Sequence, residues 1–220
     1  MADKEKIRWP TKKVMSQIYE KGFWGKKLSS KFYSGDGSHL SYITEPYLKA
    51  VTSFLKSFKT PLSICDLGCG DFNIGKEFVP FSNKYIGIDI VQSLIDYNTV
   101  NFIYPNLEFR CLDISKDVLP QADCAIVRQV LQHLSNKEIV NVLKKLSKYK
   151  YVILTEHLPV GNFTANKDVI TSLGIRLKKQ SGVVISLPPF NFKIVSEKQL
   201  SSVFLEDNKG VIVTTLYKTR

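Results

Sequence analysis

One short stretch constrains the fold more than any other part of the sequence. Residues 62–71 read Leu-Ser-Ile-Cys-Asp-Leu-Gly-Cys-Gly-Asp, which is an apolar strand that ends in an acid and runs directly into a Gly-x-Gly turn. Glycine has no Cβ and tolerates positive φ, so Gly68 and Gly70 allow the backbone to come close to a ligand. Asp66 then stands at the carboxyl end of a strand, where open α/β sheets bind their ligands.

A second predicted strand indicates that the ligand contains a nucleoside. Residues 85–89 read Tyr-Ile-Gly-Ile-Asp, and Asp89 follows the first strand at about the 20-residue distance at which such folds place the acid that binds ribose. The dinucleotide fingerprint also requires Gly or Ala three positions after its second glycine. That position is Asn73 here, and Gly75 lies out of register. The pattern therefore argues against NAD and FAD.

Alternating strands and helices follow in order. Strands are predicted at residues 106–114, 122–128 and 151–157, and helices at 91–100 and 136–146. Ser135 begins the second of these helices with Glu138 three residues later, which matches a capping box. Alternation of this kind indicates a parallel sheet covered on both faces.

These ordered segments, with an acid two positions before the first glycine, resemble the class I S-adenosylmethionine-dependent methyltransferases. The resemblance covers residues 61–160 well. It implies an α/β, Rossmann-like fold whose seven-stranded, mostly parallel sheet ends in an antiparallel C-terminal hairpin, with helices on both faces. A strand at 192–195, a helix at 197–204 and a strand at 211–217 would complete it, with turn residues at 208–210.

The resemblance also implies a cofactor, S-adenosylmethionine, with S-adenosylhomocysteine as product. The methyltransferase domain would span 61–220. The residues implied to bind the cofactor are Asp66, Leu67, Gly68, Cys69, Gly70, Asp89, Ile90, Asp113, Ile114 and Arg128.

A narrower resemblance links the chain to a group of uncharacterised bacterial methyltransferases. It rests on Trp24-Gly25, on residues 34–38, 69–72, 87–91, 112–114 and 133–135, and on Pro-Pro-Phe at 188–190. This resemblance implies the fold and the cofactor but hardly bears on the substrate. The function that we predict is methyl transfer to an oxygen or nitrogen of a small-molecule or glycan-type acceptor. Members of that group usually also carry an Asp-x-x-x-Gly-x-x-Arg segment before Pro-Pro-Phe. Asp168, Gly174 and Arg176 only approximate its spacing, so the group's substrate contacts are not assigned to residues of this chain.

Two regions outside the cofactor core are expected to choose the substrate. Residues 1–60 form a helical N-terminal extension, with an amphipathic helix at 45–58 and a polar loop at 34–39 that either approaches the ligand as a lid or is a surface turn. Residues 159–189 are too long for a simple connection, which is typical of binding loops. The expected substrate-side residues are Ser34, Gly35, Asp36, Gly37, Ser38, His39, Gln129 and Glu156.

Methyl transfer to a hydroxyl usually needs a general base, and histidine suits that role because it titrates near neutrality. His133 follows the fourth strand and His157 follows the fifth, so both are candidates. The alternative for His133 is a structural role in orienting its loop. Residues 188–190 do not form an amino-methylating motif, because that motif belongs directly after the fourth strand.

The net charge of +11 leaves a second function open. Clustered lysines near the N-terminus would suit an RNA methyltransferase, although a lysine-rich surface is the simpler explanation. A third alternative is a non-catalytic member of the fold that binds cofactor or a partner protein. Four cysteines without zinc-site spacing, the lack of a span long enough for a bilayer and the lack of a signal-peptide core predict a cytoplasmic protein without a metal.

Overall fold

The computed structural model describes residues 9–25, 31–206 and 209–220. Its centre is a seven-stranded sheet with the order β3-β2-β1-β4-β5-β7-β6. The first five strands run parallel, and β7 and β6 are antiparallel to their neighbours. The expected mostly parallel sheet with its antiparallel C-terminal hairpin is therefore confirmed. The strands are β1 Leu62–Leu67, β2 Ser82–Asp89, β3 Leu107–Cys111, β4 Cys124–Arg128, β5 Tyr151–Leu158, β6 Ser196–Phe204 and β7 Val211–Lys218.

The prediction for residues 192–204 is wrong in two places. No strand forms at 192–195, and the segment predicted as a helix is the edge strand β6. Leu200, Val203 and Phe204 have helical spacing, which favours a helix locally. Pairing with β7 from Ser196–Lys218 to Phe204–Val211 overrides that preference, and a register shift between Gln199 and Ser201 interrupts strand alternation.

Within the described residues, four α-helices surround the sheet: α1 Thr11–Lys21, α2 Ser41–Lys56, α3 Gln92–Asn101 and α4 Asn136–Leu146. The capping box of α4 is confirmed, since Ser135 accepts from the Glu138 amide and Glu138 accepts from the Ser135 amide. Helix α1 ends at Gly22, whose φ of 64° suits the left-handed conformation of a glycine C-cap. Helix α2 begins earlier than the predicted helix at 45–58.

Alternating side chains of the central strands bury two separate apolar faces. Cys65 and Val127 on one face pack with Ile139 and Val142 of α4. Ile64 and Ile126 on the other face pack with the apolar stripe of α2. Because each strand is covered on both sides, its near-continuous apolar sequence is what a parallel sheet requires. This arrangement leaves the carboxyl edge of the sheet free to form a site.

The long connection between β5 and β6 is irregular apart from a 3-10 turn, Arg176–Lys179. It is nevertheless internally bonded. Asn166 is buried, its Nδ2 donates to Val184 O at 2.8 Å and its Oδ1 accepts from Val184 N at 2.8 Å. Asn136 Nδ2 donates to Asn166 O at 2.7 Å, which fixes the connection to the start of α4. Within the described ranges, no helix has the length and apolar character needed to cross a bilayer.

Candidate active site

A cavity of about 300 Å³ opens at the carboxyl ends of β1 to β4. Its floor comes from the segments that follow these strands, and its roof comes from α1 and the loop at residues 34–38. Ile175, from the connection between β5 and β6, adds a side wall. The sequence-predicted residues that line this cavity are Asp66, Gly68, Cys69, Gly70, Asp89, Ile90, Asp113, Ile114, Arg128, Gln129, His133, Ser34, Gly35, Gly37 and Ser38.

The glycine turn after β1 forms the centre of the floor. Gly68 and Cys69 donate their amides to Ile88 O at 2.8 and 2.9 Å, which binds the turn to the end of β2. Gly70 has a φ of 56°, and a Cβ there would lie 2.4 Å from Ser34 Oγ. Asn98 of α3 donates to Gly70 O at 2.8 Å. The turn is thus held from several sides, and a side chain at residue 70 would collide with the roof.

Asp89 stands beside this turn at the end of β2. Its Oδ2 accepts from the Gly70 amide at 3.2 Å and its Oδ1 accepts from the Val91 amide at 3.0 Å. Burial raises the pKa of Asp89 to about 6, while these amide hydrogen bonds act in the opposite direction. The carboxylate is therefore largely ionised at neutral pH, and each oxygen keeps a lone pair that can accept from a ligand hydroxyl.

A second acid, Asp66, lies with a buried arginine at the ends of β1 and β4. Burial raises the pKa of Asp66 to about 7, and both the hydrogen bond from Tyr85 Oη at 2.9 Å and the charge of Arg128 lower it. The Arg128 guanidinium lies over the Tyr47 ring at 4.8 Å from its centroid. Arg128 Nε and Tyr47 Oη have no hydrogen-bond partner within the described residues. The site thus offers a carboxyl that is partly ionised at neutral pH beside a cation and spare donors.

The residues after β3 form the outer end of the floor. Asp113 accepts from the Ser115 amide at 2.9 Å and from Lys116 Nζ at 3.0 Å. Burial opposes ionisation of Asp113, but the hydrogen bonds from Ser115 and Lys116 outweigh it and lower the pKa. Ile90, Leu112 and Ile114 line the same end. An apolar slot beside an ionised acid suits a flat heterocycle.

The polar loop at residues 34–39 lies against the glycine turn. Asp71 Oδ2 accepts from Ser34 N at 2.8 Å and pairs with His39 Nε2 at 2.6 Å. Asn73 Nδ2 donates to Ser38 O at 2.7 Å, and Arg128 donates to Ser38 Oγ at 3.2 Å. The structure therefore places the loop over the cavity.

Two aromatic residues from α1 and the turn after it complete the roof. Tyr19 Oη and Ser34 Oγ are 2.9 Å apart, directly above Gly70. The Trp24 ring packs edge-on against Tyr19, with centroids 4.9 Å apart, and lies 5.6 Å from the His133 ring. The roof is thus linked to the segment that follows β4.

That segment, residues 131–134, is held rigidly by Arg176. The arginine is 1% exposed, and all its donors are used. Its guanidinium donates to Leu131 O and Gln132 O, each at 3.1 Å, and to Leu134 O at 2.7 Å. Further bonds reach Asn136 Oδ1 at 2.8 Å and Lys167 O at 3.0 Å. The long connection after β5 therefore sets the position of one cavity wall.

His133 on this wall is a neutral side chain. Burial lowers its pKa to about 4, although the backbone carbonyls of residues 172–174 act in the opposite direction. Its Nε2 lies 3.3 Å from Gln132 Nε2. At neutral pH the imidazole can accept or donate a hydrogen bond, but it is a weak base.

Five predicted residues do not line the cavity. Leu67 packs in the apolar core on the α4 face. Asp36 is exposed, and its Oδ1 accepts from Tyr33 Oη at 2.6 Å. His39 is bound to Asp71 instead. His157 Nε2 lies 2.8 Å from Lys209 O near the β6–β7 turn.

Glu156, the fifth of these residues, lies beneath the wall rather than on it. It is 3% exposed, and burial raises its pKa to about 8 against the opposing charge of Arg176. Neither carboxyl oxygen has a hydrogen-bond partner within the described residues. Glu156 interacts electrostatically with Arg176, the residue that holds the 131–134 segment in place.

Sequence reasoning missed several residues that shape the cavity. Tyr19, Tyr47, Gln132 and Asn98 have no motif, since their roles depend on contacts between distant segments. Asp71 carried a signal, because it directly follows Gly70 and a short polar side chain there can reach a neighbouring loop. Arg176 also carried a signal, since an arginine in a long insertion is available for internal support.

The basic N-terminal cluster is only partly within the described residues, since Lys4, Lys6, Arg8, Lys26 and Lys27 lie outside them. Three of the others pack on nearby rings: Lys13 on Trp9, Lys21 on Phe23 and Lys31 on Phe32, at 4.2, 5.8 and 5.5 Å. Among the residues the structure describes, no group of three or more His, Cys, Asp or Glu could hold a metal ion.

Comparison with known proteins gives matches only at the level of structure. No protein-family model matches the sequence, and a search of curated proteins also gives no match. Among solved structures, N-methyltransferase NodS from Bradyrhizobium japonicum WM9, in complex with S-adenosyl-L-homocysteine, superposes with a TM-score of 0.62. It is 10% identical, and the match covers 85% of this chain and 94% of NodS.

Two further methyltransferases have the same architecture. Magnesium protoporphyrin IX methyltransferase (ChlM) from Synechocystis PCC 6803, with bound SAM, has a TM-score of 0.58 at 15% identity, with 97% of this chain and 99% of ChlM covered. Human N-acetylserotonin methyltransferase, in complex with SAM, has a TM-score of 0.60 at 17% identity, with 96% of this chain and 60% of the human chain covered. The chain therefore has the class I methyltransferase fold.

Proposed function

We propose that this chain binds S-adenosylmethionine and transfers its methyl group to an oxygen or nitrogen of a small molecule. The observation that carries the proposal is the order of polar groups along the cavity floor. Asp113, Asp89, Asp66 and Arg128 lie at or just after the carboxyl ends of successive neighbours in the sheet, β3, β2, β1 and β4. This order matches a ligand with a base, a ribose and an amino-acid tail.

The residues present fit each part of that cofactor. Asp66 and Arg128 offer opposite charges to an α-ammonium and an α-carboxylate, and the spare Arg128 Nε and Tyr47 Oη can pair with the carboxylate. Asp89 would accept from the ribose hydroxyls. The apolar slot of Ile90, Leu112 and Ile114 beside Asp113 would hold adenine.

When bound, S-adenosylmethionine would supply a methyl group that its sulfonium already activates. The contribution of the chain is then alignment and exclusion of water. Tyr19 and Trp24 in the roof and the loop at 34–38 cover the cavity, and Arg176 fixes the wall that carries His133. Because burial lowers the pKa of His133 to about 4, the imidazole is too weak a base to remove a proton from an alcohol and would instead orient the acceptor through a hydrogen bond.

Titration calorimetry tests the proposal directly. The protein should bind S-adenosylmethionine and S-adenosylhomocysteine with micromolar affinity and should not bind NAD. Asp96→Asn, which changes an exposed acid on α3 bonded to Gln92, should bind as the unmodified chain does. Absence of binding to both cofactor forms would contradict the proposal and favour a non-catalytic member of the fold.

An RNA acceptor is the alternative that the net charge of +11 raises. It requires binding to RNA whose affinity falls steeply with salt, because phosphate contacts release counterions. Filter binding at several salt concentrations measures that slope. A steep slope with methyl incorporation into RNA would replace the small-molecule proposal.

A further inference from the structure

The sheet order separates two ends of the cavity. Asp113, Asp89 and Asp66 lie at the carboxyl ends of β3, β2 and β1, so the cofactor proposed above runs along this side and ends at Arg128, the last residue of β4. The remaining wall lies beyond that point, toward β5. It includes residues 132–134, Trp24 and Ile175, and an acceptor bound there would contact them.

This acceptor wall, defined as Trp24, Gln132, His133, Leu134 and Ile175, carries no net charge. None of the five is an acid or a lysine or arginine. His133 is neutral because burial lowers its pKa to about 4. The nearby cation Arg176 is on the far side of the 131–134 segment, where four backbone carbonyls and Asn136 Oδ1 use all its donors. A charged acceptor would lose its hydration here without gaining a counter-charge.

Gln132 gives the wall a specific hydrogen-bonding demand. The residue is 6% exposed, and its Oε1 has no partner within the described residues. Its Nε2 is directed to His133 Nε2 at 3.3 Å, and an amide nitrogen only donates. The oxygen is therefore left as a buried acceptor, which is costly unless a ligand donates to it.

The position of this oxygen is built into the fold. Arg176 binds the carbonyl oxygens of Leu131, Gln132 and Leu134 simultaneously, so the backbone from which the Gln132 side chain projects is held in place. Trp24 lies across from the same segment, 5.6 Å from the His133 ring, and lines the cavity. An indole offers a flat apolar surface to a ring-shaped ligand.

From the unpartnered Gln132 Oε1, the uncharged wall and the Trp24 ring, we infer that the acceptor is an uncharged, ring-bearing molecule that donates an O–H or N–H to Gln132. The inference rests on the proposed function, since it concerns the acceptor half of the same cavity. Its ring would pack on Trp24. An aromatic alcohol and a pyranoside share this chemistry, and the experiment separates them.

Tryptophan fluorescence can test the inference in the intact chain. Trp9 is the only other tryptophan and is 47% exposed, so Trp9→Phe leaves Trp24 as the reporter. Binding of S-adenosylhomocysteine is first measured by calorimetry, and the fluorescence titrations follow at its saturating concentration. The probes are benzyl alcohol and methyl β-glucopyranoside as neutral hydroxyl compounds, with benzoate and benzylammonium as charged compounds matched to benzyl alcohol in size.

We expect a saturable change in Trp24 emission with a neutral probe and at least tenfold weaker binding of both charged probes. Gln132→Leu should weaken the neutral probe by roughly tenfold, which corresponds to one buried hydrogen bond, and leave S-adenosylhomocysteine binding unchanged. Binding of benzyl alcohol alone would indicate an aromatic ring in the acceptor, and binding of the glucoside alone would indicate a pyranose ring.

Preference for a charged probe, or no response to either neutral probe while S-adenosylhomocysteine binds, would overturn the inference and leave the proposed function standing. Absence of S-adenosylhomocysteine binding would instead defeat the proposed function. The probe series does not depend on the variant, so it decides the matter even if Gln132→Leu fails to fold.

Discussion

Asp71 Oδ2 lies 2.6 Å from His39 Nε2, and this contact joins the loop before α2 to the glycine turn after β1. Both side chains are nearly buried, with His39 8% and Asp71 5% exposed. The same oxygen accepts from the Ser34 amide at 2.8 Å. The Asp71 carboxylate thus binds both ends of the loop at residues 34–39, which connects the roof of the cavity to its floor.

The first prediction concerns this loop. Asp71→Asn keeps the shape of the side chain but removes its charge and replaces one oxygen with a donor. Since Ser34 N and His39 both approach Oδ2, the loop should be held less firmly, and S-adenosylhomocysteine should dissociate about tenfold faster. Stopped-flow displacement measures the rate. Asp36→Asn, an exposed acid in the same loop, is the control; equal rates in both variants would contradict this role of Asp71.

Asp89 supports a second prediction. Asp89→Asn should weaken binding of S-adenosylhomocysteine by roughly 1–3 kcal/mol, because charge-assisted hydrogen bonds to the ribose are lost. Calorimetry measures the affinity, and the melting temperature establishes that the variant is folded. Unchanged affinity in a folded variant would show that the acid at the end of β2 does not contact the ligand.

Arg176 is expected to be important for stability. Arg176→Met removes a fully buried group that satisfies the carbonyl oxygens of Leu131, Gln132 and Leu134. The free energy of unfolding should fall on the order of 3–5 kcal/mol, since several buried acceptors lose their partners and Glu156 loses a nearby cation. Urea denaturation measures the loss. Lys178→Met, an exposed cation in the same 3-10 turn, should change little.

Glu156 should make stability depend on pH. Burial raises the pKa of Glu156 from 4.5 to about 8 in the folded protein. Between these two pH values the folded state therefore keeps the proton, whereas the unfolded state releases it. The contribution of Glu156 to the free energy of unfolding is therefore greatest near the unfolded pKa of 4.5. It falls as the pH rises toward 8, by at most about 1.4 kcal/mol per pH unit for one group.

Glu156→Gln removes this titration. Urea midpoints at pH 5, 6.5 and 8 should fall less steeply for this variant than for the unmodified chain. Parallel slopes would show that Glu156 is ionised in the folded protein throughout this range.

The amino-acid sequence by itself determined the part of the cavity that we propose binds the cofactor. Asp66, Gly68, Gly70 and Asp89 stand at strand ends, and in a parallel sheet all carboxyl ends meet at one edge. Their positions along the chain therefore fix their positions in space. The capping box of α4 was predictable for a similar reason, because its two residues are three positions apart.

Tertiary structure alone decided the remainder. Tyr19 and Trp24 reach the cavity, and Arg176 supports its wall, only because α1 and the long connection after β5 fold back onto the sheet, which no local pattern encodes. Strand β6 also depends on tertiary contacts, because pairing with β7 overrides the helical spacing of its apolar residues. Local periodicity and turn chemistry act over a few residues, whereas an edge strand, a roof and a buried arginine obtain their stability from partners that are distant in sequence.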